Sequence, residues 1–188
     1  MIRTPVLISG AGPTGLTLAL ALSRRGVASM LVDHTLDPVT TVPVEGLPFS
    51  PGSLKTDPNI TLRFGWRLFG FERFSDHVTI HIHEVSADRH AQVRAAFLVG
   101  CDGAGSRVRN FLDIDLSDAD VAKAFGRGRV LLAGDAAHPK SAGAPNGLAL
   151  GVGDALHLSE SIGDWLAAPE ASPRPEAYED ARRAAGQF

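Results

Sequence analysis

The stretch Gly10-Ala11-Gly12-Pro13-Thr14-Gly15 constrains this chain more than any other. An apolar run at 5–9 precedes it and reads as a buried strand. A Leu- and Ala-rich run at 13–25 follows and reads as a helix, which Gly26 closes where a left-handed cap suits glycine. Residues 28–32 form a second strand that ends at Asp33. Strand, glycine turn, helix and strand in that order predict a βαβ unit in a parallel sheet. Glycines at 10, 12 and 15 permit a tight turn, close approach of a pyrophosphate, and close packing of helix on strand. The phosphate then faces the positive end of the helix. Asp33 stands where a carboxylate accepts hydrogen bonds from a ribose diol. Dinucleotide binding by Gly10, Gly12, Pro13, Thr14, Gly15 and Asp33 is therefore expected, against the alternative of a merely structural turn. An acid at Asp33 disfavours a 2′-phosphate, so FAD or NAD fits this site better than NADP.

The totals bound the setting. A chain of 188 residues builds one domain with a real core and not comfortably two. The net charge of −3 gives no electrostatic reason to expect nucleic acid or an anionic membrane as partner. Cys101 stands alone, which rules out an internal disulfide and fits a reducing cytoplasm. The glycine-rich break at 10–15 and the lack of a basic leader argue against a signal peptide. No apolar run approaches the roughly 20 residues of a membrane span.

Further along, 34–58 is rich in Pro, Thr, Gly and Ser and reads as loop, a scar where longer structure once stood. From 60 to 99 the pattern is that of a β-meander: Val78, Ile80 and Ile82 alternate with Thr79, His81 and His83. Residues 95–100 and 129–133 read as strands, and 113–124 is polar and weakly patterned. A long helix is expected from Gly147 to about Ala167, and an amphipathic one over 175–188. The fold class is α/β, a Rossmann-like domain with a parallel sheet plus a β-meander.

Two further constellations carry polar groups at strand ends. In Asp102-Gly103-Ala104-Gly105-Ser106-Arg107-Val108-Arg109, Asp or Ser can cap a following helix. In Arg129-Val130-Leu131-Leu132-Ala133-Gly134-Asp135-Ala136-Ala137-His138, Asp135 at the strand's end can hydrogen-bond a polyol or cap a turn. Backbone N–H groups at the helix start near Gly147 can face negative charge.

Taken in order, these motifs resemble the FAD-dependent aromatic hydroxylases, the p-hydroxybenzoate hydroxylase-like flavoprotein monooxygenases. Leu98-Val99-Gly100-Cys101-Asp102-Gly103-Ala104-Gly105-Ser106-x-x-Arg109 looks like that family's second motif, and the stretch from Arg129 to His138 like its third. The spacing from His138 to Gly147 and Asp154-Ala155 matches as well. Tyr178 and Arg182 echo its closing Tyr-x-x-Glu-Arg pattern, with Ala181 in place of the acid.

The resemblance implies FAD as cofactor, with pyrophosphate on Gly10, Gly12 and Gly15 and adenosine ribose on Asp33. It implies the ribityl chain on Asp135, the flavin pyrimidine edge near Gly147, Leu148 and Ala149, and Asp102 in a motif serving FAD and, transiently, NAD(P)H. In such enzymes NAD(P)H reduces FAD, oxygen yields a flavin hydroperoxide, and a small aromatic substrate is hydroxylated. The flavin does this chemistry, so no protein residue is assigned as catalytic nucleophile and none as metal ligand.

The chain departs from the family between Asp102 and Asp135. There the family carries its substrate domain, on the order of a hundred residues, about one domain. The expectation is a single FAD-binding domain over 1–188, with the substrate domain absent between about 110 and 128. FAD binding without hydroxylation is the alternative function, and an NAD-binding Rossmann protein a third that leaves Gly134-Asp135 unexplained.

Other residues read plainly. His77, His81, His83 and His90 invite a metal reading, since His81 and His83 share a strand face, yet no partnered carboxylate or cysteine set is visible beside them and they read as polar residues of a solvated strand face. Trp66, Phe69, Phe71 and Phe74 read as core or as an uncovered domain interface, and Cys101 as a small core residue. His138 either lies near the flavin or ends the small-residue turn.

Overall fold

Four strands that end on a common level position the glycine turn, Asp33, Asp102 and Asp135. In the computed structural model, which describes residues 1–36, 51–141, 146–168 and 174–186, the centre of the sheet is β1 (Ile2–Ser9). Its first half alternates between half-buried and exposed, whereas Val6, Leu7 and Ile8 are fully covered, as in a parallel strand with layers on both faces. β2 (Ser29–Asp33) lies parallel on one side, and the long β6 (Arg89–Gly100) lies parallel on the other. β8 (Val130–Leu132) continues parallel beside the end of β6. In register, Ser9 stands opposite Val32 and Gly100, and Gly100 opposite Leu132. The loops leaving β1, β2, β6 and β8 therefore emerge at one carboxyl edge, where β1 neighbours β2 on one side and β6 on the other, the switch point at which open α/β sheets bind ligands.

Between β1 and β2, α1 (Pro13–Arg24) buries every residue from Gly15 to Leu22. Burial all round the helix follows from its place between the sheet and α4 (Gly147–Ala167), which packs across it. Pro13 sits in the first turn, where its missing N–H costs nothing, and Gly26 at φ +72 takes the left-handed turn after the last residues. α4 and the C-terminal α5 (Pro175–Gly186) begin and end near the sequence-based bounds.

Three expectations need correction. Residues 37–50 of the expected 34–58 loop lie outside the described residues, but Pro51–Thr56 forms a one-turn-plus helix, α2, with Leu54 fully buried as its anchor. The expected meander from 60 to 99 is two things. β3 (Ile60–Phe64) pairs parallel with β2 at one edge of the sheet. Only β4 (Trp66–Arg73), β5 (Val78–Glu84) and β6 form an antiparallel meander. Gly65, at φ +76, makes the break, and β4 comes back against β2 although the two are far apart in strand order. Third, the weakly patterned 113–124 is ordered. Leu116 bridges Ala122, Ser117 N donates to Val121 O at 2.8 Å, and Lys123 N donates to Asp115 O at 2.9 Å. This small hairpin follows α3 (Arg107–Phe111) and leads into β7 (Gly126–Arg127), which pairs with β8.

Candidate functional site

The glycine turn is shaped by three different demands, visible in what a methyl group would meet. A Cβ on Gly10, whose φ is +110, would lie 2.2 Å from the Cys101 carbonyl oxygen, so this residue lets the ends of β1 and β6 close up. A Cβ on Gly15 would lie 2.0 Å from Gly10 O, the close packing of helix on strand. A Cβ on Gly12 would meet nothing within 4 Å. Gly12 is instead a wall of a cleft of about 440 Å³, which Gly10, Asp33, Trp66, Asp102 and Gly103 also line. A second cavity of about 250 Å³ shares Gly12, Cys101 and Gly103 and extends to Pro13, Thr14, Asp135, Gly147 and Leu148. Both volumes, taken together or the larger alone, lie in the roughly 300–1,000 Å³ range of small-molecule sites.

The electrostatics favour an anion at the centre and hydroxyl groups at the ends. α1 and α4 begin at Gly12 and Asn146 without a side-chain cap, and neither has an acid in its first turn. Their first-turn N–H groups and partial positive charge suit a phosphate or an electron-rich ring edge. Asp33 lines the larger cavity, and Asp135, half-buried in the 3-10 turn Gly134–Ala136, lines the smaller one. Asp33 Oδ2 accepts from Ala11 N at 2.7 Å, and Oδ1 accepts from Thr35 N at 2.8 Å, so the carboxylate also braces the glycine loop.

The sequence-derived residues are largely brought together. Gly10, Gly12, Pro13, Thr14, Asp33, Asp102, Asp135, Gly147 and Leu148 line the two cavities. Gly15 lies behind the loop as packing, and Ala149 is exposed on the first turn of α4 and lines neither cavity. Asp102 faces the cleft, but its oxygens serve α3: Oδ1 accepts from the Ser106 hydroxyl at 2.5 Å, and Oδ2 from Arg107 N at 2.8 Å and Val108 N at 3.2 Å. Ser106 is itself the N-cap, accepting from Arg109 N at 3.0 Å. The capping alternative thus describes this carboxylate.

Beneath the Gly134–Ala136 turn, His138, Asp154 and Arg182, each part of the motifs that carry the resemblance, meet in a polar cluster whose contacts the sequence did not disclose. Asp154 of α4 is 1% exposed. Its Oδ2 accepts from Gly134 N at 2.8 Å and stands 2.6 Å from His138 Nε2, while Oδ1 accepts from Arg182 Nε at 2.6 Å. Tyr178 donates its hydroxyl to Leu132 O at 3.0 Å. Thr14 is wedged between Gly134 and Gly151: a Cβ on Gly134 would come within 2.5 Å of its Oγ1 and one on Gly151 within 2.3 Å. Of the two readings of His138, the buried turn-ending one matches its position, fully buried against Asp154 and not lining the cleft. Arg109, also buried, donates to Ala104 O at 2.7 Å and Ala136 O at 2.8 Å, tying the second motif to the third. Burial pulls its pKa down from the ordinary value, and Asp102 opposes that pull. Burial pushes the Cys101 thiol well above its usual range, with the Asp102 and Asp154 charges adding, which leaves it inert as a nucleophile.

The family described as FAD binding domain matches this chain over 3–48, 52–120 and 116–187. The chain belongs to the FAD binding domain family. A curated relative is the 12-dehydrotetracycline 5-monooxygenase/anhydrotetracycline 6-monooxygenase of Streptomyces rimosus, 26% identical over 175 residues. That match covers 63% of this chain and 34% of the relative, so the chain spans about a third of that protein. Among solved structures, the rebeccamycin biosynthetic enzyme RebC with reduced flavin superposes with a TM-score of 0.78 at 20% identity, covering 97% of this chain and 65% of that one. The OxyS anhydrotetracycline hydroxylase from Streptomyces rimosus gives 0.77 at 20% identity, covering 97% and 66%. The flavin-dependent monooxygenase PieE in complex with FAD and substrate gives 0.71 at 20% identity, covering 88% and 58%. Similarity of that degree establishes the Rossmann-like fold of this FAD binding domain. No helix among the described residues is long and apolar enough to cross a membrane.

Proposed function

We propose that the paired cavities hold FAD in an extended pose across the carboxyl edge of the sheet. Gly10, Gly12 and Gly15, with Pro13 and Thr14, shape the seat of the pyrophosphate at the start of α1. Asp33 takes the adenosine ribose, Asp135 the ribityl chain, and the N-terminal turn at Gly147, Leu148 and Ala149 the pyrimidine edge of the ring. Asp102 contributes through Gly103, whose place beside Gly12 its capping bonds to α3 hold fixed. The observation that carries this reading is the convergence of two helix N-termini without side-chain caps on two adjoining cavities that share Gly12, Cys101 and Gly103, one lined by Asp33 and the other by Asp135. Gly12 supports the fit, because its Cβ position opens into those cavities and not into protein.

Bound FAD supplies redox chemistry, and this chain's residues bind and orient it. The activity proposed is that of a monooxygenase acting on a small aromatic substrate, a reading supported by the family and by the monooxygenase relatives, and NAD(P)H is proposed as its transient reductant. We also place the protein in the cytoplasm, a reading supported by the lone, buried cysteine. The domain reading is one FAD-binding unit over 1–188 whose 110–128 interval lacks the substrate domain. The second reading, FAD binding without hydroxylation, is favoured by the compact hairpin that closes this interval. Water hastens loss of activated oxygen from an uncovered flavin, so shielding decides between the two.

The test is purification, reconstitution with FAD, and a visible spectrum with a thermal melt. Saturating FAD, at about 100 times its Kd, stabilises by about 2.7 kcal/mol. No flavin retained and no rise in Tm would refute the FAD reading. NAD(P)H consumption coupled to a hydroxylated product would select the monooxygenase reading over the binding module.

A further inference from the structure

We infer that the β5–β6 hairpin carries a surface site for a borderline divalent metal ion such as Zn²⁺, built from His83, Asp88 and His90. The two histidines are direct cross-strand partners, so the sheet ladder fixes their spacing. Their rings stack with centroids 4.5 Å apart and planes 17° from parallel. Asp88 comes from the turn at 85–88, and the hairpin supplies the carboxylate that was not visible in the sequence. Its Oδ1 lies 2.8 Å from His83 Nε2 and 3.8 Å from His90 Nε2. One donor atom from each of the three residues falls within 4.8 Å of the others.

These separations suit a metal. A cation about 2.0–2.2 Å from each imidazole nitrogen and carboxylate oxygen needs donors roughly 3.0–3.5 Å apart, so each donor moves by less than about 1 Å. Two imidazoles and one carboxylate select Zn²⁺, Co²⁺ or Ni²⁺ over Mg²⁺ or Ca²⁺, which take all-oxygen sets. The hairpin also restrains the ligands before any metal arrives. Phe69 stands edge-on to the His90 ring at 5.4 Å and against His81 at 5.7 Å. Asp88 holds a left-handed φ of +46 that aims its short side chain at the strand pair. Arg89 points to the other face of the strand, where it pairs with Glu84 and lies over Trp66. Arg67, opposite His83 on β4, adds a cation to that strand and keeps the affinity below that of a wholly acidic surround. With three protein ligands, His83 half-buried and Asp88 and His90 exposed, a dissociation constant on the order of micromolar, weaker than that of a four-ligand structural site, is expected.

None of the three ligands lines the cavities proposed for FAD, so the test is read with or without flavin. The full chain is titrated with Zn²⁺ by calorimetry, and with Co²⁺ by visible absorption, which reports geometry. One equivalent should bind the native protein. His90→Ala should weaken binding by more than the roughly 10–100-fold that a supporting residue costs. Asp88→Asn keeps the left-handed backbone, as asparagine tolerates it, and should weaken Zn²⁺ in the same direction. His77→Ala, at the far end of the meander, should leave binding unchanged, and circular dichroism should show all variants folded. The inference is overturned by no saturable binding up to about 100 µM, a hundred times the expected constant. It is equally overturned by stoichiometric binding that survives His90→Ala, or by binding that His77→Ala removes.

Discussion

Replacing Gly12 by alanine should separate cofactor binding from folding. The residue has φ −73 and ψ 179, extended backbone that alanine adopts freely, and its new methyl would meet no protein atom within 4 Å. A Gly→Ala change at such a position stabilises by about 0.4–1 kcal/mol through the unfolded chain. The apo protein should therefore melt at the native temperature or up to about 4 °C above it. The methyl nevertheless projects into the space assigned to the pyrophosphate. Crowding by one methyl costs about 1–3 kcal/mol, which weakens FAD roughly 5–150-fold. Gly15→Ala is the contrasting variant, because its Cβ would lie 2.0 Å from Gly10 O with no side chain to yield. It should lose about 1–3 kcal/mol of stability and melt some 2–12 °C lower. The assay is a fluorescence titration with FAD beside a calorimetric melt of each apo protein. Native FAD affinity in Gly12→Ala, or a melt as low as that of Gly15→Ala, would refute the assignment of Gly12 to the ligand.

Further outcomes follow from the buried polar groups. Asp154→Ala leaves the Arg182 cation without its buried partner, which costs about 3–5 kcal/mol; a melt lowered by less than about 5 °C would contradict the cluster's role. Tyr178→Phe removes the hydroxyl bonded to Leu132 O and should cost about 1 kcal/mol, read by denaturant midpoint at unchanged m-value. Arg109→Met severs the bridge between Ala104 O and Ala136 O; FAD affinity and stability should fall together, and a loss of stability with native affinity would show that the bridge does not shape the cleft. Burial raises the pKa of both the Cys101 thiol and the Tyr178 hydroxyl. The unfolded chain releases these protons first, so stability is full below the ordinary thiol range and declines as pH rises through and beyond it. Cys101→Ala should flatten the first part of that decline, and an identical pH profile in both proteins would count against the thiol as its source.

The elements legible in the sequence were those whose signals are local. The glycine turn, the Gly26 cap and the unbroken apolar run of α1 need no distant partner to be read, and they match the structure closely. The strand 60–64 was misassigned to the meander because a strand's partner is not written in its own alternation. Gly65 was the available signal, a lone glycine between strand patterns that marks a sharp bend. Asp102 and Asp135 could be placed at strand ends, but their hydrogen-bond partners depend on how helix and sheet close together. The Asp154 cluster joins residues from α4, α5 and the turn after β8, a long-range arrangement with no periodicity to announce it. Asp88 stayed hidden beside His83 and His90 for a related reason, since only the in-register hairpin brings a turn residue to a strand pair.

The hairpin over 113–124 makes the chain a natural splice point. Its two arms are joined by hydrogen bonds that include Ser117 N to Val121 O and Lys123 N to Asp115 O, so chain entry and exit lie side by side. The base is fastened from below, by Ala122 N to Ala137 O and by Phe125 N to the Glu179 carboxylate at 2.9 Å. A tip so anchored at its base tolerates an insert whose own ends are close together, because nothing in the parallel sheet has to move. In engineering terms, the exposed Asp118 marks a graft port, where a folded cassette can be exchanged while the dinucleotide scaffold is left untouched.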